Sequence, residues 1–322
     1  MIAHDPWTAV LAPCVALAVD RAFGEPPARW HPVVWMGRFL GWAGRRIAPP
    51  DGTAPARDVR SFACGALAWA AGACAVVAVA LAAQALLAGL PPWCAAVLAG
   101  VLLKPMLAWQ MLHDEVLAVE HALAGSLDAG RSRLGALVSR DVARLDEGQV
   151  RESAIESLAE NLNDSLLAPL FWYALAGLPG AALYRFANTA DAMWGYRGAR
   201  AGRVWEWAGK FAARADDVLS WLPARITAVL LALAGRRWPH GLRAQARLAP
   251  SPNGGWPMAA MALLLDVRLA KPGAYAFNRA GRPPVPQDTA RALRLAGRVV
   301  ALAALVAAAL ALAVAAAAGD TT

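Results

Sequence analysis

Two apolar runs limit what this chain can fold into more than anything else in it. Residues 62–88 are interrupted only by Gln84, and residues 299–319 carry no charge at all. A helix needs about 20 apolar residues to cross the hydrocarbon core of a bilayer, so each run is long enough to span. Backbone amides in lipid must be satisfied within the segment, which makes such runs helices. Three more runs are candidates: residues 91–109, with Lys104 near the end, residues 221–235, interrupted by Arg225, and residues 166–184, broken by Pro179 and Gly180. With 58% of its 322 residues in the hydrophobic set, the chain lies outside the range of ordinary soluble domains. The expected fold class is all-α. Residues 1–322 would form a single integral membrane domain, a polytopic helical bundle with re-entrant or broken central helices and cytoplasmic amphipathic helices.

The basic residues orient this bundle. Arg38, Arg45, Arg46, Arg57 and Arg60 precede the first long run, whereas the connector 89–92 is uncharged. The positive-inside tendency then places that connector outside and residues 110–164 in the cytoplasm, as a helical insertion. A full crossing by residues 166–184 would put Arg185, Arg197, Arg200, Arg203, Lys210 and Arg214 on the wrong side, hence the expectation of bent or re-entrant central helices. The short apolar run 9–19 has Asp5 before it and Asp20-Arg21 after it, so it reads as retained structure and not as a secretory signal. A net charge of +8 is compatible with nucleic-acid binding, but the arginines are scattered among apolar runs and no recognition module is present. Anionic lipid heads account for the excess. Cys14, Cys64, Cys74 and Cys94 stand singly in apolar runs without metal-ligand spacing, and are expected to be small buried hydrophobes.

Against so apolar a background, the string ESAIESLAENLNDSLLAPLFWY at residues 152–173 stands out. On a helix Glu152, Glu156, Glu160 and Asp164 recur every four residues and share one broad face with Asn163. A start is written just before them: Asp146 can cap, Gln149 holds the capping-box position, and Leu145 can staple against Val150. A solvated acidic face of an amphipathic helix would show the same spacing. The difference is that this helix runs directly into an uncharged segment, where acids lose part of their hydration.

Other polar strings accompany it: DRAFGEPPARWHPVVWMG at residues 20–37, SRDVARLDEGQV at 139–150, which leads into the acidic helix, NTADAMWGYRG at 188–198 and SPNGGWPMAAM at 251–261. In this order and spacing, the strings resemble the adenosylcobinamide-phosphate synthase family of cobalamin biosynthesis, the CobD/CbiB type, over nearly the whole chain. The resemblance implies a multi-pass enzyme of the bacterial inner membrane with its site toward the cytoplasm. Such an enzyme joins adenosylcobyric acid to aminopropanol or aminopropanol phosphate by an amide bond, with ATP and Mg2+. Other membrane-associated cobalamin enzymes are implied as partners. Met258 departs from the family, where an acid is common. Leu162, Asn163 and Ser165 also replace residues commonly Thr, Val and Gly around Asp164.

That chemistry assigns roles. A carboxylate is a poor electrophile and must be activated, as an acyl phosphate or an acyl adenylate, before an amine can displace the leaving group. Magnesium would take hard oxygen ligands, for which Glu156, Glu160 and Asp164 are the candidates, with Asp191 entering from the next string. Anionic substrates call for arginine, and Arg140, Arg185 and Arg197 lie beside the motifs, although lipid heads would attract them equally. No GxxxxGK[ST] string is present, which excludes a P-loop. Asn188 and Asn253 can orient polar groups, and the backbone at Gly255 can approach a phosphate or simply form a turn. Trp194 and Trp256 could offer flat faces to a corrin ring. His31, beside Glu25 in an irregular loop, is a candidate base for the ammonium or a turn-stabilising residue. His113 and His121 read as structural. A transporter, which also uses intramembrane acids and broken helices, and a non-catalytic scaffold for corrinoid intermediates are the competing functions.

Overall fold

The computed structural model describes the backbone of residues 6–53 and 57–319. In chain order come helices α1 (Pro6–Phe23), α2 (Pro32–Ile47), α3 (Val59–Leu87), α4 (Pro92–Leu103), α5 (Trp109–Gly125), α6 (Leu127–Leu137), α7 (Glu147–Leu162) and α8 (Ala168–Trp194). A two-residue ribbon, β1 (Ala199–Arg200) and β2 (Arg203–Val204), precedes α9 (Lys210–Leu219), α10 (Trp221–Ala234), α11 (Leu242–Ala246) and α12 (Gly255–Leu265). An antiparallel hairpin, β3 (Leu269–Lys271) and β4 (Tyr275–Phe277), leads to α13 (Pro286–Gly319). The all-α membrane class is what the structure shows. Three helical runs, Val59–Leu87, Pro92–Gly125 and Glu147–Trp194, are long and apolar enough to cross a membrane, and α9 with α10 makes one bent pair. The run at 299–319 forms the later part of α13. The N-terminal run expected at 9–19 is helical within α1, which packs on α4.

The chain forms two compact units. One draws on Met1–Leu107, Ala168–Leu219 and Leu310–Thr322, the other on Ala108–Leu167 and Ser220–Ala309. Residues 110–164, expected as a cytoplasmic insertion, therefore belong with the second half of the chain.

In the first unit, α3 and α8 pack together with α2 and α9. The expected break in the central apolar run is real, and it falls at Gly177. This residue takes φ 66°, ψ −152° inside α8, a combination open only to glycine. Breaking the helix frees amides that lipid cannot satisfy, and the amide of Leu178 instead donates to the side-chain oxygen of Gln84 at 3.1 Å. The one polar residue inside residues 62–88 thus has a structural task. Much of α3 faces outward, and this overturns the expectation for its cysteines: Cys64 and Cys74 are exposed, and Cys14 and Cys94 are half-buried. A thiol counts as a small apolar group toward lipid as well as toward protein, so an apolar run alone does not reveal which it meets.

In the second unit, α7 packs against α5, α6, α12 and β3. Its start is the one written in the sequence: Asp146 accepts from the Gln149 amide at 2.8 Å, while the Gln149 side chain accepts from the Asp146 amide at 2.9 Å. Leu145 and Val150 are both buried beside it. Arg151 grips both carboxylate oxygens of Glu120 at 2.9 and 3.0 Å, and Thr289 donates to the same carboxylate at 2.7 Å. These bonds tie α5, α7 and α13 together.

Candidate active site

The acidic ridge of α7 is a ladder whose rungs meet different partners. Glu152, almost fully buried, accepts from the Arg268 guanidinium at 3.0 and 2.9 Å and from the Ala270 amide at 2.9 Å. Its role is to hold β3 against α7. One turn on, Glu156 accepts from Arg140 Nη2 at 2.7 Å through Oε2, while its Oε1 and Arg140 Nη1 are buried without a hydrogen-bond partner. The carboxylate of Glu160, another turn on, makes no hydrogen bond or ion pair among the described residues, and the residue is exposed. At Asp164 the helix widens into a π turn over Asn163–Leu167, a distortion frequent at functional positions. The Asn163 amide donates to Asp164 at 2.7 Å, and Thr227 donates to the Asn163 carbonyl oxygen at 3.1 Å. The family departure at Asn163 is therefore occupied in holding the π turn.

Arg140, Glu156 and Glu160 line one cavity of about 330 Å3, together with Ser157, Asn161, Ser251, Met258, Lys271 and Tyr275. The exposed carboxylate of Glu160 opens into this space. The string SPNGG forms its opposite edge: the Ser251 hydroxyl accepts from the amides of Asn253 and Gly254 at 3.2 and 3.3 Å. A β-carbon on Gly254 would come within 3.1 Å of Glu160 Oε1, so this carboxylate lies against the start of α12, where the helix dipole favours negative charge. The hairpin supplies Lys271 and Tyr275, which are register partners. Tyr275 donates weakly to Met258 Sδ at 3.7 Å. Burial, and then the charges of Glu156 and Glu160, push its phenol above the ordinary range, so it stays a hydrogen-bond donor at neutral pH.

The expected three-carboxylate magnesium set is corrected by this geometry. Among the described residues no three His, Cys, Asp or Glu side chains converge as a metal site, and Asp164 is bonded to Asn163. The residues present nevertheless fit a magnesium ion. It commonly takes one or two protein carboxylates and completes its octahedron with water and phosphate, and Glu156 Oε1 and Glu160 are carboxylate groups without hydrogen-bond partners on a cavity wall.

The other expected site residues meet different surroundings. The Asn253 side chain accepts from Arg225 at 2.7 Å, and the Arg225 guanidinium lies 4.5 Å from the Trp221 ring centre and 4.9 Å from that of Trp256. Trp256 thus packs on an arginine. Gly255 is required for packing, because a β-carbon there would collide with the Ala246 carbonyl. His31, Arg185, Asn188, Asp191 and Arg197 belong to the first unit. His31 caps α2: its Nδ1 accepts from the Val33 amide at 3.2 Å, which leaves the proton on Nε2, 3.0 Å from Glu25. Both ring nitrogens are engaged, as the turn-stabilising reading requires. Asn188 donates to Asp216 at 3.4 Å, and Asp191 folds over Gly195. Trp194 is 1% exposed, donates to the Leu40 carbonyl at 3.2 Å and stacks on Trp205. It therefore has no open face for a corrin, and that expectation is overturned.

Lys271, Tyr275 and Arg225 are not among the residues that the motifs single out. Arg225 carried a signal, as the single charge in an apolar run. The hairpin pair carried none, since their role depends on a partner helix more than 100 positions away.

Comparison with known proteins shows the family of the chain. The family model described as CobD/CbiB protein matches residues 13–296. A probable cobalamin biosynthesis protein CobD of Thermococcus kodakarensis is 41% identical over 89% of this chain and 90% of its own. The cobalamin biosynthesis protein CobD of Rhodobacter capsulatus is 39% identical over 91% and 94%, and that of Chromobacterium violaceum 40% over 88% and 91%. No solved structure matches. A family match over most of the length, with the four polar strings set on a helical membrane fold, makes this chain a member of the CobD/CbiB family of cobalamin biosynthesis proteins.

Proposed function

We propose that the chain is an ATP-dependent amide ligase joining adenosylcobyric acid to aminopropanol or its O-phosphate. One observation carries the reading. Two carboxylates with uncommitted oxygens share a small cavity with two cations, the arrangement that a metal-bound phosphate ligand requires. Glu156 and Glu160 would hold magnesium, which offsets the crowded charge of the nucleotide phosphates when bound. Arg140, anchored through one nitrogen to Glu156, keeps Nη1 for a phosphate or carboxylate oxygen. Tyr275 and Ser251 supply hydroxyls that orient the ligand. The corrinoid carboxylate attacks ATP and gains a phosphoryl group as ADP leaves, or an adenylyl group as pyrophosphate leaves. The neutral amine nitrogen then attacks the acyl carbon, loses a proton to solvent and forms the amide bond as phosphate or AMP departs.

Purified protein given MgATP, adenosylcobyric acid and each amine in turn should yield a corrinoid heavier by the amine less one water, read by mass spectrometry. ATP should be consumed only when acid and amine are both present. The broken helix at Gly177 is the feature that favours a transporter, which would instead move a corrinoid into sealed vesicles and form no bond. Product formation by detergent-solubilised protein would dispose of that reading.

A further inference from the structure

The cavity holds charges that do not meet. The Lys271 ammonium makes no hydrogen bond or ion pair among the described residues, and neither does the Glu160 carboxylate, although both residues line the same space. Contact would be the default for an opposite pair free to approach. Their separation is set by rigid parts: Glu160 rises from α7, whereas Lys271 ends β3, whose neighbour Ala270 is bonded to Glu152 at 2.9 Å. The hairpin is thus fastened to the acidic helix two turns below Glu160. Arg140 Nη1 adds a second cation in the same cavity, buried and without a hydrogen-bond partner.

From this we infer that Lys271 is a ligand-binding residue, which with Arg140 grips a phosphate group whose counter-cation faces Glu160. The volume, about 330 Å3, suits a phosphate-bearing group and its ion. A lysine ammonium is a compact charge on a flexible stem and follows a phosphate oxygen as it moves, while the arginine fork fixes its plane. This inference rests on the ligase reading for the two ligands that could bring the phosphate, ATP and the phosphorylated amino alcohol.

The test is calorimetric binding of MgATP, and separately of aminopropanol O-phosphate, to the purified full chain and to Lys271→Met and Lys271→Arg. Because Lys271 is exposed, the fold should tolerate both changes, and thermal melting checks that. Lys271→Met should weaken at least one ligand tenfold or more, and Lys271→Arg should recover affinity to within about threefold of the native chain, since the charge is kept. The ligand that loses affinity identifies the source of the phosphate. Native affinity of Lys271→Met for both ligands would overturn the inference. Lysine-dependent binding of ATP without amide product would keep it and discard the ligase reading, so the two fail separately.

Discussion

In the first unit Lys104 is 3% exposed and reaches Asp20 at 3.1 Å and Glu25 at 2.9 Å, while Glu25 also receives His31 at 3.0 Å. In the second unit Glu160 and Lys271 face a cavity and touch nothing of opposite sign. The acids of both clusters come from the strings that mark the family, and the lysines come from outside them. In the first, every charge lies within ion-pair distance of an opposite one. In the second, charge is left open where water and a ligand can enter. Ion pairs that are complete fasten helices together, and those left incomplete are available for chemistry.

The largest expected effect breaks the closed cluster. Lys104→Met leaves Asp20 and Glu25 without their cation, and removing one member of a buried pair costs about 3–5 kcal/mol. Thermal melting in detergent should drop sharply. An unchanged melting temperature would show that the cluster does not fasten the fold. Glu160→Gln should do the reverse, lowering turnover by about 100-fold to 1,000-fold, the range for losing one electrostatic contact to a transition state, with melting unaltered. Retained turnover removes Glu160 from the site and with it the contrast between the clusters.

Smaller effects sharpen the same contrast. Gln84→Leu removes the acceptor of the Leu178 amide at the break in α8, and an orphaned buried donor costs about 1–3 kcal/mol. Melting should fall by that amount with the Michaelis constants unchanged, because Gln84 serves the fold alone. The smallest effect is a pH slope. Burial acts to raise the Glu25 carboxyl, but hydrogen bonds from His31 and Lys104 outweigh it and hold the group below its ordinary value of 4.5. A carboxyl lowered on folding contributes stability above its unfolded value and loses it as pH falls through the folded one. Melting should therefore decline below about pH 4.5 in the native chain, and Glu25→Gln should flatten that decline; equal slopes would take Glu25 out of the network.

Much of the fold could be read in the residues. Uncharged runs of spanning length forced helices, Asp146 and Gln149 marked the start of α7, and Pro179 with Gly180 announced a break that settled at Gly177. The candidate site was legible in one dimension only. A four-residue period puts Glu152, Glu156, Glu160 and Asp164 on one face, but it does not say what comes to meet that face. Arg268 closes Glu152, Arg140 half-closes Glu156, Asn163 occupies Asp164, and Glu160 alone stays open. Trp194 shows the same limit from the other side: it lies within a polar string and is nevertheless buried against Trp205.

By itself the sequence determined helix, membrane class, the start of the acidic helix and the family, because length, hydropathy and capping act between neighbours along the chain. Only tertiary structure decided which carboxylates are spent on the fold and which face the cavity, and that a hairpin lysine stands among them. The reason is that electrostatic roles depend on distance through space, and α7 meets its partners from residues as much as 118 positions away.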